Sequence, residues 1–196
     1  MGKDVIIACD FSDKHSVKEF LDKFKERKPY VKIGMELFYA EGPQIVKEIK
    51  ERGHKIFLDL KLHDIPNTVK KAMHVLSSLE VDMCNLHAGG TCRMMEAAVE
   101  GLTRDDGTRP LLIAVTQLTS TDQSSMETDL LIKEPVNRVV MHYAINAKKS
   151  GLDGVIRLMF FASRDDDSHG NMERESLFNA EARLAGFGFG DEDHVA

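Results

Sequence analysis

The chain has 196 residues, 42% hydrophobic and 30% charged, with a formal net charge of −6. That is the size and balance of a single soluble domain with a sizeable core. The acidic sum argues against a nucleic-acid or anionic-membrane binder, which needs a basic excess.

Three cysteines, Cys9, Cys84 and Cys92, stand at irregular spacing. They form neither a disulfide framework nor a zinc ligand set and fit a reducing compartment. Only five apolar residues, 5–9, precede Asp10, too few for a signal-peptide core. Ile6 stands where a myristoylation signal needs Ser or Thr. No apolar run approaches the ~18 residues of a transmembrane helix. The expectation is a cytoplasmic protein with no membrane or nucleic-acid partner.

Residues 4–9 form a short apolar run with a β-branched centre and predict a strand. Residues 16–28 carry Val17, Phe20, Leu21 and Phe24 at helical spacing, with Ser16 as the expected N-cap. A strand follows at 30–34, then a helix at 43–52 that Gly53 stops. A strand at 55–60 leads to a helix at 67–79, with Val69, Ala72, Met73 and Leu76 on one face. A strand at 81–86 and a helix at 90–102 come next. The last elements are a strand at 110–116, a helix at 135–149 and a sixth strand at 152–155. Strands alternating with helices indicate parallel βαβ units. The repeat of about 25 residues suits an α/β fold of the (β/α)8 TIM-barrel type, incomplete at its C-terminal end. A doubly wound open sheet is the alternative. No Gly-rich phosphate loop follows the first strand, which weakens its dinucleotide-binding form.

Residues 156–196 differ in composition. All 16 lysines lie at or before Lys149; the last 41 residues hold four arginines and nine acids, a net of −5, leaving about −1 for residues 1–155. The division expected is a barrel portion over 1–155 and a divergent acidic tail over 156–196, frame-shifted or disordered.

The chemistry concentrates in Asp59-Leu60-Lys61-Leu62-His63-Asp64-Ile65-Pro66-Asn67-Thr68. Strand alternation aims Asp59 and Lys61 the same way, into the barrel at the C-terminal end of the third strand, where enzymes of this fold keep their active sites. Charges so placed are costly unless paired. A salt bridge at the strand mouth is the plain reading. Asp10 at the end of strand one and Lys32 in strand two tip the balance toward a site, because two acids and two lysines then converge.

These residues resemble the orotidine 5'-phosphate decarboxylase family. The likeness covers residues 4–155: Ala8-Cys9-Asp10, Val31-Lys32-Ile33-Gly34-Met35-Glu36, residues 57–69, Asn85-Leu86-His87-Ala88-Gly89-Gly90 and Val115-Thr116-Gln117-Leu118-Thr119-Ser120. Asp-x-Lys-x-x-Asp is shared with hexulose-phosphate synthases; the Ile-Pro-Asn-Thr continuation resembles the decarboxylase. The resemblance implies a carboxy-lyase of pyrimidine biosynthesis that converts orotidine 5'-monophosphate to UMP without a metal or organic cofactor. It implies Lys61 as electrostatic partner and proton donor to C6. Asp59 would lie beside the substrate carboxylate, with Lys32 and Asp64 completing the array. It further implies ribose binding by Asp10 and Lys32 and pyrimidine binding by Thr119, with Ser120 as the neighbouring candidate. Finally, it implies a homodimer in which Asp64, Ile65 and Thr68 reach the partner's site. The alternatives are a metal-dependent hexulose-phosphate synthase-like enzyme and an inactive relative that at most dimerises or binds nucleotide.

Several residues have plainer expected roles. His87 is expected to be structural, and His63 stays open between a structural and a site role. Cys9 and Cys84 should pack as small hydrophobes and Met73, Met94 and Met95 as core. Glu36 should be solvated or ion-paired, and Lys70-Lys71 a solvated helix face. Family members carry a Pro-rich turn, a Gln-bearing loop and a Gly-Arg pair that grip the 5'-phosphate; none is found after Val155.

Overall fold

The structure is a computed structural model that describes residues 5–156. Six parallel strands, β1 (Ile6–Ala8), β2 (Tyr30–Gly34), β3 (Ile56–Leu62), β4 (Met83–His87), β5 (Leu111–Val115) and β6 (Gly154–Ile156), lie in one sheet in chain order. A doubly wound sheet must reverse its strand order at a switch point. Here every strand pairs with its neighbour in sequence, so the wall winds one way, as in a barrel. Six strands of that wall lie among the described residues, with β1 and β6 as its edges. The expected tail beyond residue 156 lies outside them.

The connecting helices are α1 (Lys14–Asp22), α2 (Met35–Glu41), α3 (Pro43–Glu51), α4 (Pro66–Ser77), α5 (Thr91–Leu102), α6 (Gln123–Thr128) and α7 (Val136–Lys149). The first helix starts earlier than its apolar stripe suggests. Asp13, not Ser16, is its N-cap: the Ser16 backbone N–H donates to Asp13 Oδ1 at 2.9 Å. Helix α2 was not legible because it begins directly after β2 with no turn, Gly34 serving as its N-cap. Gly42, at φ 67, ends α2 and opens α3, whose first residue is Pro43. Pro66 likewise opens α4 and holds Ile65 extended at ψ 150. Helix α6 has six residues and one buried apolar side chain, Met126; so short a segment leaves no periodic stripe. The sixth strand is shifted by two residues from its expected start.

Two apolar layers sandwich the wall. Val31, Ile33, Ile56, Leu58, Cys84, Leu86, Leu112 and Ala114 face outward into one cluster with the helices. Met73, Met94 and Met95 are fully buried in that layer, as expected of core. Cys9 and Cys84 also pack there; burial pushes their thiols up to about 11 and about 12. Helices α4 and α5 approach closely: a Cβ on Gly101 would overlap the Lys70 carbonyl oxygen and lie 2.8 Å from its carbon. Lys70 pairs with Glu100 across this contact, so it is not simply solvated; Lys71 is exposed. The inner cluster holds strand residues only: Tyr30, Phe57, Met83 and Ile113, flanked by Ile6, Leu111 and Ile156. Among the described residues, no helix is long and apolar enough to cross a membrane.

Candidate active site

The inner face changes character over one step of two residues. From the apolar row, the same face continues to Lys32 after Tyr30, Asp59 after Phe57, Asn85 after Met83 and Val115 after Ile113. Strands alternate faces with period two, so on each strand this second position lies about 7 Å nearer the C-terminal mouth; across the sheet the two sets are staggered, Lys32 being level with Phe57 and Asn85 with Ile113. On β1, Ala8 is level with Lys32, and Asp10 follows two residues later.

The side chains of this row form a chain of alternating charge. Lys32 Nζ donates to Asp10 Oδ1 at 2.9 Å and lies 3.7 Å from Asp59 Oδ2. Lys61 Nζ donates to Asp59 Oδ1 at 2.7 Å. Side-chain exposure falls from 59% at Asp10 to 16% at Lys32 and 10% at Asp59, then rises to 25% at Lys61. The anion with least access to water is therefore the one held between two ammonium groups, which offsets its desolvation. With two cations and two anions, the array is neutral. A cleft of about 200 Å³ opens above it, with Cys9, Gly34 and Glu36 in its lining. Glu36 is solvent-exposed.

Lys61 reaches the array through a distortion that alternation alone does not describe. Leu58 is level with Cys84 and Leu62 with Leu86, so three residues of β3 stand opposite Asn85 alone. Within this bulge Lys61 takes φ 51, a left-handed conformation that costs an L-residue about 1–2 kcal/mol. Bulges re-aim side chains beside active sites. Asn85, fully buried, accepts from the Lys61 backbone N–H at 2.8 Å and donates to Asp59 Oδ1 at 2.6 Å. Sequence reasoning missed Asn85 as a site residue. Its signal was a lone amide inside the apolar strand from Val81 to Leu86.

The other expected site residues stand apart. Asp64 is exposed, and its Oδ1 accepts from the Ile65 N–H at 2.6 Å; among the described residues nothing joins it to the array. Ile65 is 66% exposed. Thr68, in the first turn of α4, and Thr119, after β5, are also exposed. His87 ends β4 with its ring 5.7 Å from that of His63. Burial, then His63 and Lys61, hold the His87 imidazole below its ordinary value, while Asp59 acts in the opposite direction.

The family model described as "Orotidine 5'-phosphate decarboxylase / HUMPS family" matches residues 3–174. The chain belongs to this family. The match runs past residue 155, where the composition changes. Orotidine 5'-phosphate decarboxylases from Bacillus anthracis and Bacillus mycoides are 54% identical over 159 residues, 80% of this chain and 67% of theirs. A crystal structure of an uncharacterized conserved protein from Geobacillus kaustophilus superposes with a TM-score of 0.74 at 55% identity, covering 76% of this chain and 71% of that one. The orotidine 5'-phosphate decarboxylase of Lactobacillus acidophilus gives the same TM-score at 37% identity, covering 79% and 70%. The barrel-type fold agrees with these relatives.

Proposed function

We propose that this chain decarboxylates orotidine 5'-monophosphate to UMP, a step of pyrimidine biosynthesis. The observation that carries the reading is the Asp10–Lys32–Asp59–Lys61 chain at the strand mouth, closed by the 2.7 Å Asp59–Lys61 contact.

The chemistry asks for this arrangement. When the bond from C6 to the carboxylate breaks, its electron pair stays on C6, where no adjacent carbonyl can absorb it. A fixed ammonium stabilises that charge as it develops. Lys61 supplies the ammonium and then donates its proton to C6, leaving CO₂ and UMP; solvent reprotonates the amine. Asp59 lies beside the leaving carboxylate and, with Lys32, keeps Lys61 oriented. Asp10 and Lys32 bind the ribose hydroxyls, and Thr119 the pyrimidine edge.

The exposure of Asp64, Ile65 and Thr68 supports a homodimer in which they complete the partner's site. The Asp64 carboxylate would bring that array to a net −1. The division at residue 155, the divergent tail and a cytoplasmic location belong to the same proposal.

The test is a metal-free assay on the purified chain, following the ultraviolet absorbance lost as orotidine 5'-monophosphate is consumed. Turnover in the wild type and none in Lys61→Ala is the expected result. A Lys61→Ala variant with wild-type turnover, or a folded wild-type chain with none, overturns the reading.

A further inference from the structure

We infer that Asn85 is a positioning residue that holds Lys61 in its left-handed conformation and Asp59 in its paired rotamer. Its kinetic consequence rests on the decarboxylase reading, whereas its geometry does not.

The argument begins with the ladder. Asn85 is the one β4 residue opposite the three-residue bulge of β3. The Lys61 N–H donates to the Asn85 side chain at 2.8 Å. The amide has one possible orientation: a backbone N–H can only donate, so Oδ1 must face Lys61, and a carboxylate can only accept, so Nδ2 must face Asp59. Both ends of one fully buried side chain are thus committed to the two members of the reacting pair.

A non-glycine residue at positive φ persists only where its surroundings over-determine it. At Lys61 the constraints are the Asn85 bond on the backbone and the Asp59 bond on the ammonium. Asn85 controls the first directly and the second through Asp59 Oδ1. Without it, Lys61 relaxes toward negative φ, its Cα–Cβ direction swings, and the ammonium leaves its place above the array. Asn85 is fully buried and is not in the lining of the cleft, so its effect runs through Lys61 and Asp59.

The experiment compares wild type, Asn85→Ala and Asn85→Asp as full chains, by crystal structure and by steady-state kinetics with orotidine 5'-monophosphate. In Asn85→Ala, Lys61 is expected to leave the left-handed region and its ammonium to part from Asp59. Its kcat should fall about 100-fold, the scale of a misplacement of roughly 1 Å. KM should stay within about threefold, because the loss lies in the transition state. Asn85→Asp keeps an acceptor for the Lys61 N–H and loses the donor to Asp59; Lys61 should stay left-handed while Asp59 turns away, with a smaller loss of kcat. If Asn85→Ala does not unfold cooperatively, the orientation of Asp59 in Asn85→Asp decides the matter. An intact Asp59–Lys61 pair in the variants overturns the inference. So does a lowered melting temperature with kcat per folded molecule unchanged, which marks a merely structural amide. A wild type without turnover overturns the decarboxylase reading alone, since the crystallographic comparison still decides the role of Asn85.

Discussion

Two rows of the same inner face, one step apart, behave as different materials. The lower row, Tyr30, Phe57, Met83 and Ile113, is a buried hydrophobic cluster. The upper row, Lys32, Asp59 and Asn85 with Lys61 reaching in, is charged and hydrogen-bonded. The lower row is held mainly by what its apolar carbon gains from leaving water. The upper row is tolerable only because each buried polar group has a counterpart. The strand backbone is common to both, so stability and chemistry separate along one set of strands. On β5 both Ile113, level with Asn85, and Val115, two residues on, are apolar and buried, so among the described strands the polar mouth lies on β1–β4.

Substitutions in the two rows test this separation. Lys61→Ala should lower kcat/KM by at least about 10,000-fold, since in the proposed mechanism Lys61 supplies both the proton and the stabilising charge at C6. Its thermal unfolding should stay near that of wild type, because Ala meets the same left-handed backbone. A large fall in melting temperature would show that the upper row carries fold stability after all.

Phe57→Ala should do the reverse. Removing a ring that is 6% exposed should destabilise by about 3–5 kcal/mol, read as a lower urea midpoint, with activity per folded molecule retained. Activity that falls in parallel would mean that the apolar row also sets the geometry above it.

Gly34→Ala probes the seam between the rows. An added Cβ would lie 3.4 Å from Asp10 Oδ1 and 3.7 Å from Lys32 Nζ. These are ordinary contacts, so folding should be unaffected. The methyl narrows the cleft, and KM should rise severalfold with kcat nearly unchanged. An unchanged KM would place the substrate away from this wall.

The smallest effect should be one of pH. The His87 imidazole titrates below its unfolded value of 6.5, held down first by burial, then by His63 and Lys61, against the opposing pull of Asp59. Through this window the unfolded chain binds more protons, so this contribution is present above pH 6.5 and is lost as pH falls through the folded pKa. His87→Asn should flatten the decline in urea midpoint between pH 7.5 and 5.5. An unchanged slope would assign the pH dependence to other groups.

Much of the strand order was legible because apolar runs and amphipathic stripes repeat at regular spacing. The bounds of β2 were read without error, and α5 within one residue. Helix α2 was not, since nothing punctuates the junction at Gly34. Nor did local pattern show the pairing of the acids at the N-terminal ends of the strands. Asp82 and Asp153 flank strands just as Asp10 does, yet they pair with Lys50 and Arg109 below the core. They also accept from the backbone N–H groups of Ile56 and Leu112. At the mouth, the spacing of Asp59 and Lys61 suggested the pair, but alternation was an incomplete reason for it.

The sequence by itself determined the alternation of strand and helix, the apolar faces and the motif from Asp59 to Thr68, because these follow from local periodicity and residue type. Only the tertiary structure decided that the strands run in unbroken order, that Lys61 is left-handed within a bulge, and that Asn85 bonds its backbone N–H there. Those are relations between residues 22 to 26 positions apart, such as Asp10 with Lys32 and Asp59 with Asn85. Pairing across that distance depends on register, and register is settled when the sheet packs both its faces at once.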